Sequence, residues 1–385
     1  MISCKKTTSA VLVFTACAAL SGTADAGVRL YGLIDAGVTH YTGLSNGAGG
    51  TTSSTGLSSG VQSGDRIGLK GTEDLGGGLN AIFDVETGFC GTGTSQDVAT
   101  AGGTPQTYCT GGGFMQRTSL LGVQGHFGRL VAGRFLLPAY TNAVSVDPFR
   151  NGTTASITSL NRAVSAFNYL RESQLVEYAT PTVDGFSAQL VYGFGAVAGS
   201  TQAGSLGNLS VHYRHGPLYL GAAYLVNDYR SAVALESGRI AAGSTSTTHV
   251  EQLFGHYELH AVVLSAMVQA YTSGFPGSTF MPVKASTAAL DNRFWMLGAA
   301  VPMGRGQFNL SYSHTDNQEV ASSQASLIGV GYQYSLSRST MLYGGLSHVS
   351  NGSAAAYGVH DATNTFAGSY GQSANGLDIG LRTSF

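Results

Sequence analysis

The stretch SGDRIGLKGTEDLGGGLNAIFDVETGF, from Ser63 to Phe89, decides the fold. Two runs of alternating apolar and polar residues flank an acidic turn that contains three consecutive glycines. This pattern predicts two antiparallel β-strands joined by a short turn. The runs also carry Arg66, Lys70, Asp84 and Glu86. Because a charge is costly to bury, these four side chains must face water from one side of the sheet.

The composition indicates a chain whose outer surface largely avoids water. Over 385 residues, only 10% are charged and 43% are hydrophobic, whereas a soluble domain is about 25% charged. The sequence contains no apolar run of about 18 residues, which argues against transmembrane helices. A chain that spans a bilayer without helices must close its sheet into a β-barrel, because every backbone polar group needs an internal partner. The net charge of −2 argues against a nucleic-acid partner.

The N-terminus has the features of a secretory signal peptide. Lys5 and Lys6 precede an apolar run from Ala10 to Leu20, and Ala24-Asp25-Ala26 offers a cleavage site of small residues. We therefore expect residues 1–26 to be removed and residues 27–385 to form the mature domain.

Two cysteines remain in the expected mature chain, Cys90 and Cys109, both in a loop rich in Gly and Thr. In an exported protein this favours a disulfide over a zinc pair, since no His lies within the loop. Closing a loop of this size would stabilise the fold by about 3 kcal/mol in the chain-entropy model.

Most of the mature chain consists of segments with period-two alternation, which is clearest from Leu377 to Phe385. One face of that segment carries Leu, Ile, Leu, Thr and Phe, and the other carries Asp, Gly, Arg and Ser. We count sixteen such segments, joined by alternating short and long connections. This arrangement predicts an all-β, antiparallel, up-and-down transmembrane barrel of sixteen strands that forms one domain. The stretch from Gly43 to Gly60 is expected to be a mobile surface loop.

Three motifs resemble one family. They run from Leu30 to Gly37, from Ile67 to Leu79 and from Gly380 to Phe385, and together they are similar to the general diffusion porins of Gram-negative outer membranes, in the branch typical of β-proteobacteria. The resemblance implies a homotrimer in outer-membrane lipid and lipopolysaccharide, with passive diffusion of small hydrophilic solutes and ions. It also implies that the third external loop, Leu136 to Arg171, constricts the pore, and that the C-terminal Phe385 is an insertion signal.

A barrel explains the charges in the opening stretch. Arg66 and Lys70 share a face with Gly68, while Ile67 and Leu69 occupy the other face. A Lys or Arg at the lipid-facing midplane would cost about 2–4 kcal/mol, so the charged face is expected to line the lumen.

A porin needs a constriction whose fixed charges set its ion preference, and it needs neither a nucleophile nor a cofactor. The expected pore-lining residues are six arginines and four acids: Arg66, Arg117, Arg134, Arg150, Arg162, Arg171, Asp35, Asp84, Glu86 and Asp147. Asp147 is the only acid of the expected constriction loop before Glu172. We therefore expect the arginines to dominate and the pore to prefer anions.

Three other functions were weighed against a general pore. A substrate-specific channel for sugars or carboxylates would need an aromatic slide or a basic ladder in the lumen. His348 and Ser350 resemble the His-x-Ser motif of outer-membrane lipid deacylases, but no acid is close in sequence, and we expect no enzyme. A secreted adhesin is disfavoured by the low charge.

Metal sites were considered at two histidine pairs, His212 with His215 and His256 with His260. Spacings of three and four do not converge on a strand as they do on a helix, so no metal is expected.

Overall fold

The computed structural model describes residues 27–92, 115–161, 170–196, 198–229, 246–273, 282–284, 290–362 and 368–385. The expected signal peptide, residues 1–26, lies outside these ranges, as do Cys109 and Arg162. Within the described ranges, no helix has the length and hydropathy to cross a membrane.

The described chain forms one antiparallel sheet of seventeen strands with a single α-helix. The strands are β1 Gly27–Ser45, β2 Thr51–Ser59, β3 Arg66–Gly76, β4 Leu79–Gly88, β5 Thr118–Gly125, β6 Gly128–Leu136, β7 Arg171–Ala179, β8 Phe186–Gly193, β9 Leu206–His215, β10 Leu218–Tyr229, β11 Ser246–Glu258, β12 Val263–Ser273, β13 Leu290–Met303, β14 Gly306–Asn317, β15 Ala325–Ser335, β16 Thr340–Asn351 and β17 Ala374–Ser384. The helix is α1 Pro138–Val146, and a short 3-10 turn spans Ile157–Ser159.

The sheet closes on itself because β1 pairs with β17, from Leu33 opposite Ser384 to Thr42 opposite Asn375. On its other edge β1 pairs with β3 through its first half and with β2 through its second half. Strands β2 and β3 thus share one position in the wall. The predicted sixteen-stranded barrel is confirmed, with one extra strand.

The extra strand corrects the sequence-based expectation of a mobile loop from Gly43 to Gly60. Thr51–Ser59 consists mostly of Thr and Ser, and Thr suits the pleated surface of a sheet. Its side chains also bond across to β1, where His40 Nδ1 lies 2.6 Å from Thr55 Oγ1.

The two faces of the wall follow the predicted alternation. In β17, Leu377, Ile379 and Leu381 are exposed on the outward face, whereas Asp378 and Gly380 are buried on the inward face. The turn between β3 and β4 is made by Gly76, Gly77 and Gly78, whose φ angles of 85°, 62° and 79° favour glycine.

The connection between β6 and β7, residues 137–170, is called loop 3 here. Its described contacts reach strands on opposite sides of the barrel, so it lies inside the closed sheet. Asn142 Nδ2 in α1 donates to Ser210 Oγ on β9 at 2.9 Å, and Thr154 Oγ1 donates to Asp378 Oδ2 on β17 at 2.6 Å. The inward folding implied by the family resemblance is therefore present.

Loop 3 also creates the apolar core of the molecule. Ala143 and Val146 of α1 belong to one buried cluster with Leu225, Phe254 and Met267 from the inner faces of β10, β11 and β12. The inner wall is therefore apolar where the helix packs against it and polar where water remains. This packing confines the open channel to the opposite side of the lumen.

Candidate functional site

A cavity of about 470 Å³ lies between loop 3 and the inner wall. Among its described lining residues, all the charged side chains are arginines: Arg66, Arg117, Arg150, Arg171 and Arg382. Its uncharged polar lining residues are Gln62, Ser63, Tyr140, Thr141, Asn151 and Thr158. Five cations around one narrow water-filled space would attract anions and repel cations.

The barrel brings the five arginines together from distant parts of the sequence. Arg66 and Arg171 are the first residues of β3 and β7, and Arg117 directly precedes β5. Arg382 lies near the end of β17, and Arg150 lies at the inner turn of loop 3 with a φ of 55°. Strand ends and the loop therefore meet at one level of the lumen.

Glu86 on β4 holds two of these arginines. Its Oε1 lies 2.7 Å from Arg117 Nε, and its Oε2 lies 3.5 Å from Arg66 Nε. Charge-assisted bonds of this kind fix both the position and the orientation of a guanidinium. Glu86 lines the deeper cavity described below and not the cavity at loop 3, so it supports the arginines from behind.

Asp35 was expected to line the pore, and the structure corrects this. Its side chain is 0% exposed, although its position on β1 is on the inward face. Its Oδ2 accepts hydrogen bonds from the backbone N–H groups of Gln62 and Ser63 at 3.0 and 2.8 Å, and its Oδ1 accepts one from the Tyr343 hydroxyl. The segment that follows β2 covers the carboxylate, which sequence parity alone could not show.

Asp147 was also expected to line the pore, and it too is buried, at 3% exposure. It closes the turn of loop 3 by accepting backbone N–H bonds from Phe149 at 3.2 Å and Asn151 at 2.8 Å. Burial raises the pKa of Asp147 to about 6, although these hydrogen bonds favour its ionised form. The nearby positive charge of Arg150 also favours the ionised form.

Arg382 is the charged residue of the cavity at loop 3 that the sequence-based set missed. It is the cross-strand partner of Asp35, and its Nη1 donates to Gln62 Oε1. The signal was available, because Arg382 shares the inward parity of Asp378 in the clearest alternating segment of the sequence.

A second cavity of about 690 Å³ continues the channel toward the short-turn end of the barrel. Arg29, Lys70 and Asp84 line it, together with Arg66, Arg117 and Arg171 at its upper end. Asp84 accepts a hydrogen bond from the Tyr31 hydroxyl at 2.7 Å, and Lys70 Nζ lies 5.0 Å from the centre of the Tyr31 ring. Cations thus follow the channel from loop 3 downward, and Asp84 lies beside them in the second cavity.

Arg134 is not brought into either cavity. It pairs with Ser119, whose strand neighbour Leu121 is exposed on the outward parity, and it lies at a bulge between β6 and β7. Its Nη1 donates to Ser173 Oγ at 2.9 Å, and its Nε donates to the Gln116 carbonyl oxygen. Leu130 and Ala132 are exposed on the same parity of β6, so regular alternation along the strand already turns Arg134 to the outward face.

The remaining predicted residues are placed only in part. Arg162 lies outside the described residues. Cys90 is disulfide-bonded, but its expected partner Cys109 also lies outside them, so that pairing stays a prediction. The backbone of Phe385 pairs with Gly32, with N–O distances of 3.0 and 3.1 Å, and its ring is exposed.

The histidine pairs are held by local contacts. His212 Nε2 lies 3.0 Å from both Ser210 Oγ and Asn142 Oδ1, and His256 Nε2 lies 3.5 Å from Glu258 Oε1. In the described part of the chain, no group of three or more His, Cys, Asp or Glu residues is arranged to hold a metal ion.

Comparison with known proteins gives a consistent result. A family model described as Gram-negative porin matches residues 8–354. The chain is 30% identical to outer membrane porin protein 32 of Delftia acidovorans, over 97% of this chain and 99% of that protein. Its structure is similar to that of an anion-selective porin from Comamonas acidovorans, with a TM-score of 0.75 and 26% identity over 94% of this chain and 100% of the other.

A more distant likeness concerns the fold alone. An outer membrane protein of Vibrio cholerae in a trimer form, OmpT, matches with a TM-score of 0.63 and 15% identity, over 94% of this chain and 99% of the other.

Proposed function

This chain belongs to the Gram-negative porins, and we propose that its outer-membrane channel passes small hydrophilic solutes by passive diffusion and prefers anions to cations. The observation that carries the preference is the arginine lining of the cavity at loop 3 together with the burial of the acids Asp35 and Asp147. The cavity at loop 3 is lined by five arginines, whereas Asp35 and Asp147 are 0% and 3% exposed. A narrow, low-dielectric passage with one sign of exposed charge concentrates the opposite ion.

A salt gradient across a planar bilayer tests this proposal through the sign of the zero-current potential. We expect that sign to correspond to anion preference, and replacing Arg150 or Arg382 with Gln to lower the anion-to-cation permeability ratio. Arg293→Gln is the matched control, because Arg293 lies on the outward face of β13, where it pairs with Asp291 at 2.9 Å. Cation preference in the unaltered protein would overturn the proposal.

A specific channel for carboxylates is a second candidate, and one observation favours it. The cations extend from the cavity at loop 3 through Lys70 and Arg29 in the deeper cavity, which forms a basic ladder. Planar guanidinium groups match the geometry of carboxylates. If the ladder binds them, a dicarboxylate should reduce the chloride current in a saturable manner. If the currents carried by chloride and the dicarboxylate simply add, the specific channel is rejected and the general pore remains.

We further propose a homotrimer that sits among outer-membrane lipids and lipopolysaccharide after export. Support comes from the family and from the outward apolar band that includes Val38, Leu346 and Ile379. Conduction through the pore requires no covalent chemistry and no cofactor. Cleavage of the expected signal peptide predicts a mature chain beginning at Gly27, which intact-mass measurement of the purified protein checks.

A further inference from the structure

The outward face of the barrel carries a hydrogen-bonded Ser–His–Asn chain that conduction does not use. Ser350 Oγ lies 3.1 Å from His348 Nε2, and His348 Nδ1 lies 2.7 Å from Asn375 Oδ1. Asn375 Nδ2 in turn donates to Thr42 Oγ1 at 2.9 Å. From these contacts we propose a serine acyl-ester hydrolase site on the outside of the barrel, with membrane lipids that carry O-acyl esters as its substrate class.

The strand register explains why these residues meet. His348 and Ser350 are two residues apart on β16, so both project from the same face. Asn375 is the cross-strand partner of His348 on β17, and it supplies the third group that is missing from the neighbouring sequence. A nucleophile, a base and a group that orients the base within hydrogen-bond reach make up the arrangement needed to activate a serine.

The position of the three residues selects the substrate. All three are exposed, and they lie at the end of the strands where the long loops begin. One step further along each strand, Leu346 and Leu377 are exposed on the same outward face. The site therefore lies at the boundary between the apolar band and the polar region, which is where the ester carbonyls of membrane lipids meet water.

The reaction consumes one water molecule and involves no redox change. Ser350 Oγ attacks the ester carbonyl carbon while His348 Nε2 accepts the hydroxyl proton. The ester C–O bond breaks, and His348 passes that proton to the departing alcohol oxygen. Water then gives a proton to His348, its oxygen attacks the acyl-serine, and His348 returns the proton to Ser350 as the fatty acid leaves. Asn375 is a positioning residue that holds the imidazole with Nδ1–H turned away from Ser350.

Donors that stabilise the developing oxyanion supply much of the rate of a serine hydrolase, and the three residues named here include none, so turnover is expected to be slow. Covalent labelling is therefore the more sensitive test. The folded, membrane-inserted protein is treated with a fluorophosphonate, and peptide mass spectrometry locates the adduct. We expect the adduct at Ser350, about tenfold or more slower labelling in Asn375→Ala, and recovery in Asn375→Asp.

Ser326 on β15 provides a matched internal control. It is the cross-strand partner of Ser350, and its Oγ lies 2.9 Å from His314 Nδ1 and accepts a hydrogen bond from the Tyr312 hydroxyl at 3.1 Å. We expect no adduct at Ser326, and we expect Ser326→Ala to label at Ser350 like the unaltered protein. The proposal is overturned by any of three results: no adduct at Ser350, equal labelling at Ser326, or no effect of Asn375→Ala. Ser350, His348 and Asn375 would then be only polar residues at the membrane interface.

Fatty-acid release then identifies the lipid source. The protein is placed in vesicles of glycerophospholipid alone or in vesicles with added lipopolysaccharide. The identity of the fatty acid released shows which lipid carries the O-acyl ester that is cleaved. Ser350→Ala should release no fatty acid from either kind of vesicle. Gel mobility is used to check that each variant folds into the barrel. Because this readout is independent of ion flow, its failure would leave the porin function unaffected.

Discussion

Asp147 and Arg150 show how single residues set the sign of the channel. Both lie in the same turn of loop 3, where the Arg150 N–H donates to the Asp147 carbonyl oxygen at 2.9 Å. The guanidinium lines the cavity, while the carboxylate is enclosed by backbone N–H groups. An ion passing through the cavity therefore meets the positive member of the pair first. A protein can hold equal numbers of acids and bases and still present one sign to a solute.

The buried carboxylate predicts a pH dependence of selectivity. Because the pKa of Asp147 is raised from 3.8 to about 6, its negative charge is lost as the pH falls through about 6. The opposing field behind Arg150 then weakens, so anion preference should increase between pH 7.5 and pH 5. Zero-current potentials at both pH values measure this change. Asp147→Asn should show a smaller change over the same interval, and an identical change in both proteins would refute the assignment.

The same shift fixes the sign of a stability effect. A carboxyl whose pKa is higher in the folded state contributes stability that is full below its unfolded pKa, here 3.8. That contribution is lost as the pH rises through about 6. The turn of loop 3 is therefore more stable near pH 4 than near pH 7 as far as this group is concerned.

At this scale the sequence predicts which face a side chain occupies but not how deeply it is buried. Period-two parity correctly placed Arg66, Asp84 and Glu86 on the inward face, because parity is a local property of a strand. The burial of Asp35 depends on residues 62 and 63, and that of Asp147 on the turn around it. Such contacts form only after the chain has closed, so a pattern along one strand could not indicate them.

Among the elements, the tip of loop 3 is held against the wall by several independent bonds. Thr153 N–H donates to the Val61 carbonyl oxygen at 2.9 Å, and Thr154 N–H donates to Asp378 Oδ2 at 2.8 Å. Gly152 lies between this anchor and the turn at Asp147. A Cβ added at Gly152 would lie 1.9 Å from the Gln62 carbonyl oxygen, so only glycine allows this approach.

Gly152→Ala should therefore detach the tip of loop 3 from the wall. The clash is with backbone, which cannot rotate away, and overpacking of this kind costs about 1–3 kcal/mol. We expect more frequent brief closures in single-channel records, because the tip loses its bonds to Val61 and Asp378. Gly207→Ala is the control, since an added Cβ there meets only Val226 Cγ1 at 3.4 Å. If Gly152→Ala shows no additional closures in single-channel records, the bonds to Val61 and Asp378 do not hold the tip of loop 3 in place.

Strand β2 marks the limit of sequence reasoning about elements. The alternating pattern located all sixteen wall positions, because each strand has one apolar and one polar face. A run of Thr, Ser and Gly has no such contrast, so Thr51–Ser59 resembled a loop. Its strand structure comes from pairing with β1, which is a tertiary contact.

For the whole molecule, the closed sheet makes each chain a complete channel. Pairing of β1 with β17 leaves one continuous wall, and this single barrel encloses the cavity at loop 3. Association of several copies would bring their outward faces together without opening the lumen. Oligomerisation and conduction are therefore separable properties of this fold.

This separation gives a prediction about the proposed trimer. If three chains associate, their pores should conduct independently, so each particle should insert as one step and close in three equal steps at high voltage. Planar-bilayer recording supplies the step sizes, and native mass spectrometry in detergent supplies the number of chains. Three chains with a single all-or-none closure would mean that the pores are coupled, against the geometry of a self-contained lumen. One chain per conducting particle would reject the trimer while leaving the channel intact, because the constriction is built within a single barrel.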